Sequence, residues 1–507
     1  MGEDFPGRGK DAMTSTFSGM EIALRGLTAA RLSMGVVSHN VANAEVPGYS
    51  RQRVDLRAAA PWAYPGLGIG ANPAQVGQGV EVRSISRVRD LLLDRQYRTE
   101  VGYRSAYDVR RTFLEKLETA LADTEGSGLS LVLDRFFHAW QDLSLDAENL
   151  SVRQEVLGYA EQLVDLFHHV GDSFTALSQD ARDLLRFRVE EVNALVREIA
   201  DLNREIARIT PHGYTPNDLY DERDRLLDRL AQLVDVEVEW ADDGTVRVRF
   251  AGGIPLVEGG NSGILTVDGD KVYVTDARGV PFADAAGNSL PLRVGSSFAP
   301  GVLARGEIAE ALHLLEDVLP AYAARYESLL RGLAEAVNAA HRSGFDLEGN
   351  PGEDFFVFAP PGSSGDLHAV FVNPRIADHP ERIAAAREAG GAGDGRNARA
   401  IAELAERPIP FEAPDGTVAE MRVKDAYAAI FGELATDVQR SQLLAETKAS
   451  IVRFIDERRQ SASGVSLDEE MARLLSFQHM YTAAARALTA MDEAIDTVIH
   501  RLGLVGR

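Results

Sequence analysis

The residues in this 507-residue chain with the best claim to chemistry fall in a few short runs. Asp221, Glu222 and Asp224 could hold a cation; the alternative is a helix N-terminal face, where carboxylates favour the macrodipole. Asp346, Glu348 and Asn350 have the alternate spacing of a calcium loop. Pro351 stands where that loop needs glycine, however, and no glutamate follows at its twelfth position, so a structural turn is expected. His168 and His169 are adjacent, about 100° apart on a helix, and cannot share a metal as an i,i+4 pair would. The Gly66–Gly70 run fails the dinucleotide spacing, and neither GxxxxGK[ST] nor HExxH occurs. Asn149-Leu150-Ser151 is a glycosylation triplet, which means little without a secretory signal. Cysteine is absent, which removes disulfides, thiolate metal sites and a cysteine nucleophile together. The expectation is no catalytic residue, no cofactor and no metal: not an enzyme.

Composition points the same way. With 53 basic and 77 acidic side chains the net charge is -24, which argues against nucleic acid or an anionic membrane as partner. A hydrophobic share of 45% and a charged share of 26% are those of a globular chain, and the length suggests about three domains. No apolar run is long enough for a membrane span, so no membrane insertion is expected. Residues 1–13 read as a disordered lead-in, with Met13 as an alternative start, and show no secretory signal.

The elements that must do the work are helices with narrow apolar stripes. Ala23, Leu27, Ala30, Met34, Val37 and Val41 recur in steps of four and three. Near the C-terminus Leu467, Met471, Leu474, Tyr481, Ala485, Leu488, Ile495, Ile499 and Leu502 do the same, interrupted by Gln478 and Asp492. A stripe that narrow wants a partner helix, and each end of the chain could supply the other's. A third heptad runs through Val192, Leu195, Ile199, Leu202, Ile206 and Ile209, within helices expected from about Ser84 to Val234. Alternation at 236–250 and 264–274, around Asp242-Asp243-Gly244 and Asp268-Gly269-Asp270 turns, predicts two hairpins. The predicted fold is mainly α with β-rich insertions. Residues 14–46 with 467–507 form paired terminal coiled-coil helices, and 47–234 with 301–344 and 425–466 a long helical shaft. Residues 235–300 form a small outer β domain, and 345–424 a mixed Gly/Pro-rich insertion.

One family resemblance joins these parts. Ser38-His39-Asn40-Val41-Ala42-Asn43-Ala44, followed by Pro47-Gly48-Tyr49-Ser50-Arg51-Gln52, resembles the N-terminal signature of bacterial flagellar axial proteins of rod and hook type. Gly77–Val82 with Ile85, Arg87, Asp90, Leu93 and Gln96 resembles their lead into the first shaft helix. Pro216–Leu219, Asp221, Arg223-Asp224, Leu226-Leu227 and Val234–Val236 are similar to the hook-associated junction proteins in particular. Val337-Asn338, His341, Gly344, Asp346, Gly349 and Phe355-Phe356 match next, then Ser463–Glu470 with Gln478, Tyr481, Ala483–Ala485 and Arg486.

The resemblance implies a structural protein that assembles with itself as a ring. Hook protein would lie on one side, and the next hook-associated protein or the filament on the other. It also implies unfolded export to the flagellum outside the cell without a cleaved signal, and an export chaperone acting at the C-terminal helix. The expected assembly interface is Leu27, Met34, Val41, Leu474, Tyr481, Leu488 and Ile495. His39, Asn40, Asn43 and Tyr49 are either contacts at the bend after the first helix or C-terminal caps within one subunit. Rival readings are another axial protein, hook or distal rod, and a secreted hydrolase on a helical stalk.

Overall fold

Leucine- and arginine-rich stretches with helical periodicity form long helices. The computed structural model describes residues 18–60, 77–122, 128–250, 252–295, 300–358, 367–412 and 417–501. Helix α1 spans Ser18–Ala42, α2 Leu91–Leu121, α3 Leu129–Leu145, α4 Leu150–Ile209 and α5 Asn217–Leu233. α6 (Glu307–His313) passes through a wide π turn, Leu314–Val318, into α7 (Leu319–Arg342). Two short helices, α8 (Pro374–Ala377) and α9 (Arg396–Ala402), precede α10 (Val423–Ser463) and α11 (Leu467–Arg501). Residues 1–17, the Gly66–Gly70 run and Leu502 lie outside the described residues.

α2 and α10 lie side by side over most of their length, and α3 to α7 pack around them. The 60 residues of α4 make a rod about 90 Å long. Its apolar face was expected to run through Leu202 and Ile209; both are only half-buried, and Asn203 is fully buried instead. The reason is a strand edge. Asn203 donates to Val246 O at 2.8 Å and accepts from Val246 N at 3.1 Å. Asn193 grips Leu265 in the same two-handed way, and Asn338 grips Phe356. Each amide stands in for a neighbouring strand and satisfies a buried backbone pair.

Strands fill the gaps between helices. β1 (Gln52–Ala58) pairs antiparallel with β2 (Val80–Arg87), so helix begins at Leu91 rather than near Ser84. Asp90 caps α2 by accepting from the Leu92 and Leu93 amides. β3 (Val236–Trp240), β4 (Val246–Phe250), β5 (Ile254–Glu258) and β6 (Asn261–Ser262) form one antiparallel sheet in chain order. Gly244 closes the first hairpin at φ 82, a conformation a Cβ would strain. β7 (Ile264–Asp268) and β8 (Lys271–Thr275) form the second hairpin, and β9 (Arg293–Val294) pairs in parallel with β10 (Val302–Leu303). Further on, β11 (Phe356–Phe358) pairs with β12 (Val370–Val372), and β13 (Ile409–Glu412) with β14 (Val418–Met421).

The 345–412 region is anchored by buried polar groups. Arg153 of α4, buried, donates to Ala147 O and Ile383 O, and burial pulls its guanidinium down to about 10. His341 donates through Nδ1 to Glu353 O and accepts at Nε2 from Ala384 N. Burial holds its imidazole at about 4. Asp346 accepts from the Glu348 and Asn350 amides, forming a turn.

Candidate assembly interface

α1 and α11 pair antiparallel. A Cβ on Gly19 would lie 2.7 Å from Met491 Sδ, one on Gly26 3.6 Å from Ala484 Cβ, and Asn40 meets Glu470 at 2.9 Å. Contacts therefore recur at multiples of seven on both helices, the spacing a heptad seam requires. The half-buried face of α11 runs through Leu474, Phe477, Tyr481, Ala484, Leu488, Met491 and Ile495. Leu474, Tyr481, Leu488 and Ile495 were expected there; Phe477, Ala484 and Met491 were not. On α1, Leu27, Met34 and Val41 are half-buried, while Ala23, Ala30 and Val37 are fully covered.

The C-terminal seam therefore differs from the expected one. Leu467 and Met471, expected in it, are 53% and 52% exposed, and Ile499 is 64% exposed. Gln478 and Asp492 do not interrupt the seam, because it passes Phe477 and Met491 instead. Leu467, Met471 and Leu475 form a second apolar stripe, in steps of four, that faces solvent. Leu24 and Leu32 are exposed on α1. The pair covers one face of each helix and leaves these large apolar side chains exposed.

The bend after α1 is organised by Asn40, whose amide is saturated. It donates to Gln52 O and Glu470 Oε2, both at 2.9 Å, and accepts from Gln52 N at 2.9 Å and Tyr49 Oη at 2.8 Å. Asn43 turns back to cap its own helix, donating to His39 O. His39 packs edge-on against Tyr49 and reaches Asp218 at 3.3 Å. Burial, with Asp218, Asp221 and Glu470 nearby, pushes the Tyr49 phenol well above its ordinary range, so it remains a donor. His39, Asn43, Tyr49, Asp218 and Asp221 line a cleft of about 280 Å³ with Glu222 and Arg225.

Behind the bend lies a buried ionic cluster that sequence reasoning missed. Asp221 and Asp224 are held by arginine side chains, neither of the two roles expected of them. Arg87 holds both, at 2.7 and 2.8 Å, and Arg89 and Arg98 reach Asp224 at 3.3 Å. Desolvation opposes ionisation of Asp224, but these cations outweigh it and keep the carboxyl below its usual range. Arg98 also pairs with Asp228, Arg89 with Asp94, and Arg459 with both Asp94 and Asp228. Four arginines and four aspartates are ion-paired here, and the fully buried Arg223 adds its charge beside Asp224. Glu222 stands apart, paired with Arg225. One local signal was available: Asp94, Arg98 and Val101 share one buried helix face, where charge needs a partner. Among the described residues no His, Asp and Glu cluster could hold a metal, and no helix is long and apolar enough to cross a membrane.

Residues 114–356 match the family model described as the flagellar hook-associated protein FlgK helical domain, and residues 458–501 that of the flagellar basal body rod FlgEFG protein C-terminal. Flagellar hook-associated protein 1 of Bacillus subtilis is 32% identical, the match covering 98% of this chain and 100% of the relative. That of Salmonella typhimurium is 26% identical over 94% of this chain and 98% of the relative. The flagellar hook junction protein FlgK from Burkholderia pseudomallei has a similar fold, with a TM-score of 0.60 at 16% identity, covering 73% of this chain and all of that one. By a full-length relative of this identity, and by a helical-domain model matched over residues 114–356, the chain belongs to the flagellar hook-associated protein 1 family.

Proposed function

We propose that the chain is a structural, non-catalytic part of the flagellum. It would polymerise as a short ring between hook and filament, with hook protein on one side and the next hook-associated protein or the filament on the other. The observation that carries this is the half-covered terminal pair. Leu467, Met471, Leu475, Leu24 and Leu32 form apolar surface that other subunits would bury. The proposed interface joins these to the seam residues Leu27, Met34, Val41, Leu474, Tyr481, Leu488 and Ile495. Narrow stripes make the isolated pair marginal in water, so the ends would complete their folding on assembly, as coiled-coil packing in an inner tube. His39, Asn40, Asn43 and Tyr49 serve the bend within one subunit and hold the pair at its angle.

Before assembly the same stripe needs cover, and an export chaperone that takes an amphipathic helix in a groove fits it. Export in an unfolded state completes the reading. An epitope inserted at Gly287, in an outer turn, tests the location. A single short band between hook and filament is expected, whereas label along the whole hook or in the rod would favour another axial protein. Chaperone binding by the full chain, lost on truncation after residue 460, tests the second part.

A further inference from the structure

The α1–α11 seam sets two helices side by side but says little about where along one another they stop. On α1, Gly19 and Gly26 lie against Met491 and Ala484 of α11, with Ala23, Ala30 and Ser33 buried on the same helix, and the contacts repeat by sevens. A slide of one heptad, about 10 Å, would set Gly26 against Met491, where Gly19 now lies. The connection does not prevent it, because Asn43–Arg51, between α1 and β1, could span up to about 30 Å if drawn out.

One contact has no equivalent a heptad away. Asn40 is fully buried and donates to Glu470 Oε2 at 2.9 Å, its other three hydrogen-bonding positions taken by Gln52 and Tyr49. Glu470 is itself fully buried, the one α11 side chain so enclosed among the described residues, and its other oxygen accepts from Arg473 at 2.9 Å. Slid one way, Asn40 would face Phe477; slid the other, Glu470 would face Ser33. Either separates Asn40 from Glu470. In the second the Ser33 hydroxyl would donate to Glu470 instead, and a slide of α1 also breaks the Asn40 bonds to Gln52 and the packing of α1 on β1 and β2.

We propose that Asn40 and Glu470 form a register lock, a polar pair that selects one heptad alignment of the terminal helices. A single buried asparagine fixes register in this way in two-stranded coils, at some cost in stability. The lock concerns pairing within one chain and does not depend on ring assembly.

Because the chain contains no cysteine, register can be read by cross-linking. A full-length protein carrying Gly19→Cys, Gly26→Cys and Met491→Cys is oxidised while dilute, and the monomer is mapped by mass spectrometry. The 19–491 bond reports the observed register, and the 26–491 bond a one-heptad slide. Their ratio does not depend on how long the ends stay paired; total yield does, and it scores coupled folding separately. With Asn40 and Glu470 in place the ratio should exceed about tenfold, and adding Glu470→Leu should bring it to within about twofold of unity. Glu470→Gln, which can still accept from Asn40, should keep it high. An unchanged ratio in the Glu470→Leu protein overturns the lock. So does loss of both bonds in that protein, which would make Glu470 a general clamp on the pair.

Discussion

Arg459, near the C-terminal end of α10, pairs with Asp94, in the first turn of α2, at 2.9 Å through Nε. Its other arm takes Asp228 of α5 at 2.6 Å, and its guanidinium lies 4.2 Å over the Tyr97 ring. Three helices from distant parts of the sequence meet on this one side chain. Replacing it leaves Asp94 and Asp228 without this cation, and an uncompensated buried charge costs far more than the pair was worth. Arg459→Met is expected to destabilise the shaft by about 3–5 kcal/mol, measured by denaturant unfolding at neutral pH.

The same cluster gives an acid limit. Asp224 is ionised more readily folded than unfolded, so its contribution is present above the unfolded value of 3.8 and is lost as pH falls below it. Unfolding free energy should drop steeply below pH 4 in the native chain. In Asp224→Asn, already weakened, that drop should be shallower.

His341 acts in a different window. Its imidazole titrates at about 4 folded against 6.5 unfolded, so between those values the unfolded chain binds more protons and stability rises with pH. The span corresponds to roughly 3 kcal/mol. Stability should climb from pH 4 to 6.5 and then level. In His341→Gln, less stable overall, that particular climb should be missing.

Much of this architecture was legible in the sequence, and the failures share a cause. Heptad spacing marked α1 and α11, and alternation around Gly244 and Gly269 marked both hairpins. Periodicity cannot tell which of two apolar stripes on one helix faces its partner. Leu467 and Met471 were therefore read as seam, while Phe477 and Met491 were passed over. Buried polar groups were harder still. Asn203 looks like a break in an apolar face until the Val246 edge lies beside it. Asp221 and Asp224 gave no hint that Arg87, Arg98 and Arg459 would converge on one cluster.

The strand clamps are separable from the shaft. Asn203→Ala leaves the Val246 amide and carbonyl without their partner, at about 1–3 kcal/mol. Hydrogen exchange should speed up across β3–β6, with little change in α2 and α10. Uniform loosening of the whole chain would contradict a local role.

The outer stripe and the seam make different predictions. Met471 faces solvent in the single chain, so Met471→Asp should leave the melting temperature within about 1 °C yet weaken filament attachment to hooks. Leu488→Asp places a charge in the half-buried seam and should abolish attachment. Normal motility in both variants would remove these faces from any interface.

The central claim is that the terminal pair is completed by other subunits, and amide exchange in α1 and α11 tests it most directly. Exchange is compared between the soluble chain and the chain recovered in flagella. Protection of both helices should rise by at least about 100-fold on assembly, with the α4 core unchanged. Equal protection in the two states would show that α1 and α11 complete their fold alone, and would contradict the account.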